Sequence, residues 1–298
     1  MTTPSQRIAH TLTAAAIAVL LLSPGWALAD TAASLLYERT LMDKAGARCH
    51  LFAADIAAAL AASATQARGA SLRSGLPNAA VQQIQARAEL KAYAVPCNSA
   101  DLAVAAQRVR KAFEGYAGLR EMAFPGTRAK WQADRKPWPL VVNGKVQPGP
   151  RWRLWQAASG GMTVGMTSGA ALVAVTTAPD AGNASGARLI LRDPAKAADA
   201  VIDPRHADLA GRAPPRSVTQ VFLAQSVGPA PMSLLPTGSQ GVMITFPSDG
   251  AKAMASLDPR ETATVELVFP TRDGERVETS LVEVGDFAAG RAFLVAGR

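Results

Sequence analysis

The chain has 298 residues, a net charge of +8, 49% hydrophobic residues and 18% charged ones. That balance excludes a disordered chain and a polytopic membrane protein, and the length suggests two domains. Two cysteines and three histidines exclude a disulfide-dense mini-fold and any all-cysteine metal cluster, and they leave little for metal or acid–base chemistry.

Residues 1–29 read as a secretory signal peptide. Met1–Thr13 is mostly polar and carries Arg7 without an acid; Ala14–Leu22 is an apolar run. Ser23-Pro24-Gly25 is expected to break any helix there, and Ala27-Leu28-Ala29 matches the small-x-small cleavage pattern. The apolar run is shorter than the ~20 residues that cross a bilayer, so the mature chain is expected to have no transmembrane span. The expected location is the periplasm, with a mature start at Asp30. In that compartment the basic charge does not imply nucleic acid, and none is expected as a partner.

Residues 30–122 are expected to form a helical domain. Alanine, the strongest helix former, supplies 26 of the residues from 30 to 120. Leu35, Met42 and Cys49, with Ala45 and Phe52, define one apolar stripe; Ile56, Leu60 and Ala67 define a second. After Gly75-Leu76-Pro77, Asn78 is expected to cap a third helix carrying Val81, Ile84 and Ala88, which Val95-Pro96 stops. Asn98-Ser99-Ala100-Asp101 resembles a capping box and opens a fourth helix with Leu102, Ala106, Val109, Phe113 and Tyr116 at helical spacing. Four helices of this kind pack as an antiparallel bundle. In an oxidising compartment Cys49 and Cys97 read as one disulfide across it. Arg68, Arg73, Arg87, Lys91, Arg108, Arg110 and Lys111 are expected on solvated faces.

Residues 123–150 change character and are expected to be a linker rich in proline, tryptophan and basic residues. Residues 121–155 hold seven Lys/Arg against two Asp/Glu, together with Trp131, Trp138, Trp152 and Trp155. Aromatic and cationic side chains interleaved in this way bind anionic polymers or headgroups by stacking and charge. Arg128, Lys130, Trp131, Arg135, Lys136 and Trp138 are the candidate binding residues.

Residues 151–298 are expected to be β-rich. Met162–Thr167 alternates with period two, and Leu172–Thr176, Ala187–Arg192, Val218–Ala224, Val242–Phe246 and Thr264–Phe269 have strand composition. Asp273-Gly274 marks a hairpin into Val277–Val284, and Ser248-Asp249 opens a short helix through Leu257. Asp286–Leu294 fits a helix or a strand. The pattern implies an antiparallel β-sandwich or a barrel-like domain, and an α+β chain overall.

Signals for chemistry are sparse. The sequence has no G-x-S-x-G, S-x-x-K, H-E-x-x-H, C-x-x-C or G-x-G-x-x-G. No catalytic residue, metal or cofactor is assigned. His50 and His206 are expected at the surface, and Glu261, Glu266, Glu278 and Glu283 are expected to be solvated.

The run Cys97-Asn98-Ser99-Ala100-Asp101-Leu102 through Phe113-Glu114-Gly115-Tyr116, with Val282-Glu283-Val284-Gly285-Asp286-Phe287-Ala288-Ala289-Gly290-Arg291, resembles an uncharacterised family of exported, periplasmic proteins of Gram-negative bacteria. Leu234-Leu235-Pro236, the Thr264–Phe269 strand and Gly285-Asp286-Phe287-Ala288-Ala289 make the second half similar to the invasion-associated locus B type of periplasmic β-sandwich protein. These resemblances imply export and a sandwich, and they imply no activity. The expected function is non-catalytic binding of an envelope component or protein partner. Two alternatives remain: a cell-wall or anionic-lipid module using the Trp/basic stretch, and a hydrolase with an unrecognised site that uses His206.

Overall fold

The structure, a computed structural model, describes residues 24–137, 139, 141–146, 149–202 and 208–296. Most of the expected signal peptide (residues 1–23), Trp138 and His206 lie outside the described residues. Four helices come first: α1 (Pro24–Cys49), α2 (Ala54–Arg73), α3 (Asn78–Ala94) and α4 (Ala100–Ala117). The described part of α1 already includes Pro24 and Gly25, so these two residues do not break a helix there. The expected cleavage point after Ala29 falls inside α1.

The bundle core has two clusters. Leu36, Ala67, Leu72, Val81 and Ile84 fill one; Met42, Ala45, Leu60, Ala92, Leu102 and Ala106 fill the other. Leu35 is 39% exposed, and Leu36 beside it is the core residue. The reason is geometric: α1 packs chiefly on both α2 and α3, so its buried arc faces two neighbours. The Cys49–Cys97 disulfide, with Cα atoms 5.5 Å apart, joins the end of α1 to the turn before α4. His50 follows with a positive φ of 53°, and the Leu51 N–H donates to the Gly46 carbonyl at 3.0 Å, closing α1 in a left-handed turn. Asn78 does not cap α3. Pro77 holds the cap position, and the Asn78 side chain accepts from Arg68 and donates to Asp199.

The second half is an antiparallel β-sandwich. One sheet runs β1 (Glu121–Pro125), β2 (Lys130–Asp134), β5 (Leu154–Ala157), β6 (Met162–Met166), β7 (Val173–Thr176), β11 (Val242–Thr245), β10 (Ser226–Pro229). The other runs β13 (Gly274–Glu283), β12 (Thr262–Thr271), β8 (Gly186–Arg192), β9 (Thr219–Leu223). Their inner faces share one core, in which Leu154, Val164, Ala174 and Ile244 of the first sheet meet Leu189, Leu191, Val265 and Val282 of the second. Residues 224–225 carry the chain from one sheet to the other: the Ala224 N–H donates to Ala187 and the Gln225 N–H to Thr245. A separate hairpin, β3 (Val141–Val142) and β4 (Lys145–Val146), turns through Asn143 and Gly144, both with positive φ.

Part of the expected linker belongs to the sandwich. β1 and β2 form the edge of the seven-stranded sheet, with register Phe124↔Trp131. Trp131 and Ala133 point inward and are buried, while Lys130 faces solvent, the alternation of a half-buried strand. Asp286–Leu294, ambiguous by sequence, falls in helix α6 (Phe287–Val295). This helix sits between the two halves, packing on α2, on β1, β2 and β5, and on α5 (Ser248–Ser256). Phe287 packs at a tilt against Trp131 with ring centres 4.8 Å apart; Phe293 lies 5.6 Å from both Phe124 and Tyr116 of α4. A Cβ at Gly290 would press on Leu154, so glycine is what lets α6 lie this close to the sheet.

Candidate functional site

A cleft of about 1190 Å³ opens between the end of β2, the segment leading into β5, the β6–β7 loop and α6. Five cationic side chains line it: Arg135, Lys136, Arg151, Arg153 and Arg291. Thr167, Ser168 and Gly169 form one rim, and Met166, Ala288, Ala292, Leu294 and Val295 supply apolar surface. Among the described lining residues there is no carboxylate and no histidine.

Each cation is held by a different part of the fold. Arg135 directly follows β2 and reaches the C-terminal end of α4. Its Nε donates to the Leu119 carbonyl at 2.5 Å and its guanidinium also donates to Tyr116, where a cation suits the negative end of the helix. Its Cζ lies 4.1 Å from the Phe293 ring centre and 5.0 Å from that of Tyr116. Lys136 pairs with Glu121 and Arg151 with Asp134. Arg153 donates to the Lys136 carbonyl at 2.7 Å, and Arg291 to the Ala251 carbonyl at 3.1 Å. Burial pulls the pKa of Arg135 and of Arg291 downward, yet a guanidinium keeps its proton. Carbonyl partners satisfy donors without cancelling charge. The guanidiniums of Arg135 and Arg291, held by carbonyls, keep the cleft electropositive.

Of the candidate binding residues, Arg135 and Lys136 line the cleft. Arg128 and Lys130 are exposed outside its lining, at the β1–β2 turn and the start of β2. Trp131 is fully buried, with its indole N–H donated to the Val284 carbonyl at 2.9 Å, so it presents no face to a ligand. Trp138 lies outside the described residues. Arg151 and Arg153 stood in the basic stretch but were not among the candidate site residues; their two-residue spacing, which puts both on one side of an extended segment, was the available signal. Arg291 ends the Val282–Arg291 run, with nothing local to connect it to residue 135.

Three of the four carboxylates expected in solvent are buried instead, while Glu278 stays at the surface paired with Arg276. Glu261, Glu266 and Glu283 are each at most 3% exposed. Glu261 is gripped by Arg192 through two bonds of 2.8 and 2.9 Å. Glu266 meets Arg216 at 3.0 Å. Glu283 accepts the backbone N–H groups of Thr127, Arg128 and Ala129, with Arg212 at 3.8 Å. The sequence pattern cannot show these partners, because each lies on a different strand or loop. Arg73 also leaves its expected solvated face and binds Asp286. Among the described residues, no group of three or more His, Cys, Asp or Glu is placed to hold a metal ion, and no helix is long and apolar enough to cross a membrane.

No protein-family model, curated protein or solved structure matches the chain.

Proposed function

We propose that this is a non-catalytic binding protein of the cell envelope, exported through its first 29 residues, whose basic cleft holds an anionic ligand. The observation that carries this reading is the convergence of Arg135, Lys136, Arg151, Arg153 and Arg291, from three separate parts of the chain, on one concave surface. Glu121 and Asp134 offset two of these cations, a bound anion relieves the repulsion that is left, and a cleft walled by low-dielectric protein strengthens the field the anion feels. The buried glutamates are engaged by arginines or backbone N–H groups, which supports binding over acid–base chemistry.

The test is calorimetry on the full chain at low ionic strength with inorganic phosphate, pyrophosphate and citrate, and with neutral trehalose as the control. The anions bind, trehalose does not, and raising salt weakens binding. Arg153→Ala combined with Arg291→Ala weakens anion binding by about tenfold or more, the scale of losing charge-assisted hydrogen bonds. Undiminished binding by the double variant, or equal binding of trehalose, overturns the reading.

A further inference from the structure

Resting on that reading, we infer that the ligand is an amphiphile: an oxyanion head, phosphate or carboxylate, carrying a single alkyl chain of medium length. The two sides of the cleft are chemically different. Arg151, Arg153 and Lys136 come from the segments flanking β2 and β5, with the buried Arg135 beside Lys136. Across the cleft, α6 presents Ala288, Arg291, Ala292 and Val295, whose three- and four-residue spacing puts them on one face of the helix.

That face is apolar apart from Arg291, whose guanidinium reaches the Ala251 carbonyl and lies near the Phe287 ring. Ala288 and Ala292 are half-buried, small enough for a chain to lie against the helix backbone, and Val295 is 60% exposed. Leu294 and Met166 extend the apolar surface. From Ala288 to Val295 the face runs about 10 Å at the rise of an α-helix, the reach of a medium alkyl chain. A purely hydrophilic anion would leave this face wet. An alkyl group attached to the anion covers it while the head stays with the cations.

The experiment is calorimetry on the full chain, each amphiphile kept below its micelle concentration. The probes are decyl phosphate, decanoate, inorganic phosphate, acetate and decyl maltoside. At least one decyl anion binds tenfold or more tighter than its chainless counterpart, a gain of about 1.4 kcal/mol, which burial of a few methylenes supplies. Decyl maltoside, with the same chain and no charge, binds at least about tenfold more weakly than that decyl anion. Val295→Asn lowers the ratio of decyl phosphate to inorganic phosphate affinity by about threefold, the scale of losing part of one side chain's apolar contact.

Equal affinities with and without the chain overturn the amphiphile and leave anion binding standing. Binding of decyl maltoside as tight as decyl phosphate overturns the amphiphilic anion, and so does a ratio unmoved by Val295→Asn. Failure of every anion to bind sinks both readings together.

Discussion

Arg73 on α2 grips both carboxylate oxygens of Asp286 at the head of α6, across 213 residues of sequence. Asp286 is 4% exposed, and a Cβ at Gly69 of α2 would collide with its carboxylate. The contact pins the helical bundle to the helix that forms one wall of the cleft. Burial pushes the Asp286 pKa up, and the Arg73 hydrogen bonds pull against that shift without cancelling it.

Removing one partner of such a pair leaves an uncompensated buried charge. Arg73→Ala is expected to cost about 3–5 kcal/mol of unfolding free energy. Pairing it with Asp286→Asn should return part of that loss, because no charge is then stranded. Urea titrations of the two single variants and the double variant measure this coupling, and strictly additive losses would argue against it.

Asp286 also makes a pH prediction with a definite sign. A carboxyl whose folded pKa is raised binds its proton more readily in the folded chain than in the unfolded one. Its contribution to stability is complete below the ordinary aspartate pKa and is lost as pH rises through the raised folded value. Compared with Asp286→Asn, the natural chain should gain stability as pH falls across that window. Parallel denaturation curves with a pH-independent difference would contradict it.

The disulfide closes a large loop, since Cys49 and Cys97 are 48 residues apart. Loop-closure entropy assigns it about 4 kcal/mol. Cys49→Ala with Cys97→Ala should release the Met42, Leu60 and Leu102 cluster first, because that cluster adjoins the bridge. Hydrogen exchange should accelerate there while the sandwich strands keep their protection. Unchanged melting and exchange would show that packing alone holds the bundle.

Glu283 ties β13 to the β1–β2 turn. Glu283→Ala would strand three backbone donors and remove the carboxylate beside Arg212. The expected loss is about 3–5 kcal/mol, the scale for breaking a buried charged network. Thermal melting checks it, and a shift of under a degree would refute it.

Limited trypsin digestion probes the middle segment. Arg135 is buried, and the backbone of 127–129 is held by Glu283, so neither Arg128 nor Arg135 should be cut first. Lys145 stands exposed in the small β3–β4 hairpin, which pairs with neither large sheet, and is the expected first site. Mass spectrometry of the earliest fragments decides; initial cleavage after Arg135 would mean that β2 opens readily.

What the sequence determined by itself was local. The three- and four-residue spacing of Leu102, Ala106 and Val109 made α4, the alternation at Met162–Met166 made β6, and Asp273-Gly274 made the β12–β13 turn. Two cysteines could pair in only one way. The tertiary structure decided whatever depended on what lies opposite. Lys130-Trp131-Gln132-Ala133-Asp134 alternates like a strand, yet its prolines and basic neighbours read as a linker until β1 and β5 flanked it. Phe287–Val295 became a helix that wedges between α2 and the sheet, where its two aromatic rings and Gly290 fit both surfaces. Charged residues were the least legible. Whether Arg73, Glu261 or Glu283 is solvated or buried depends on a partner of opposite charge or a donor group elsewhere in the chain, and hydrophobic periodicity carries no information about that partner. The basic cleft belongs to the same class, because residues 135–137, 149–153, 166–170 and 288–295 come together only where α6 packs on the seven-stranded sheet.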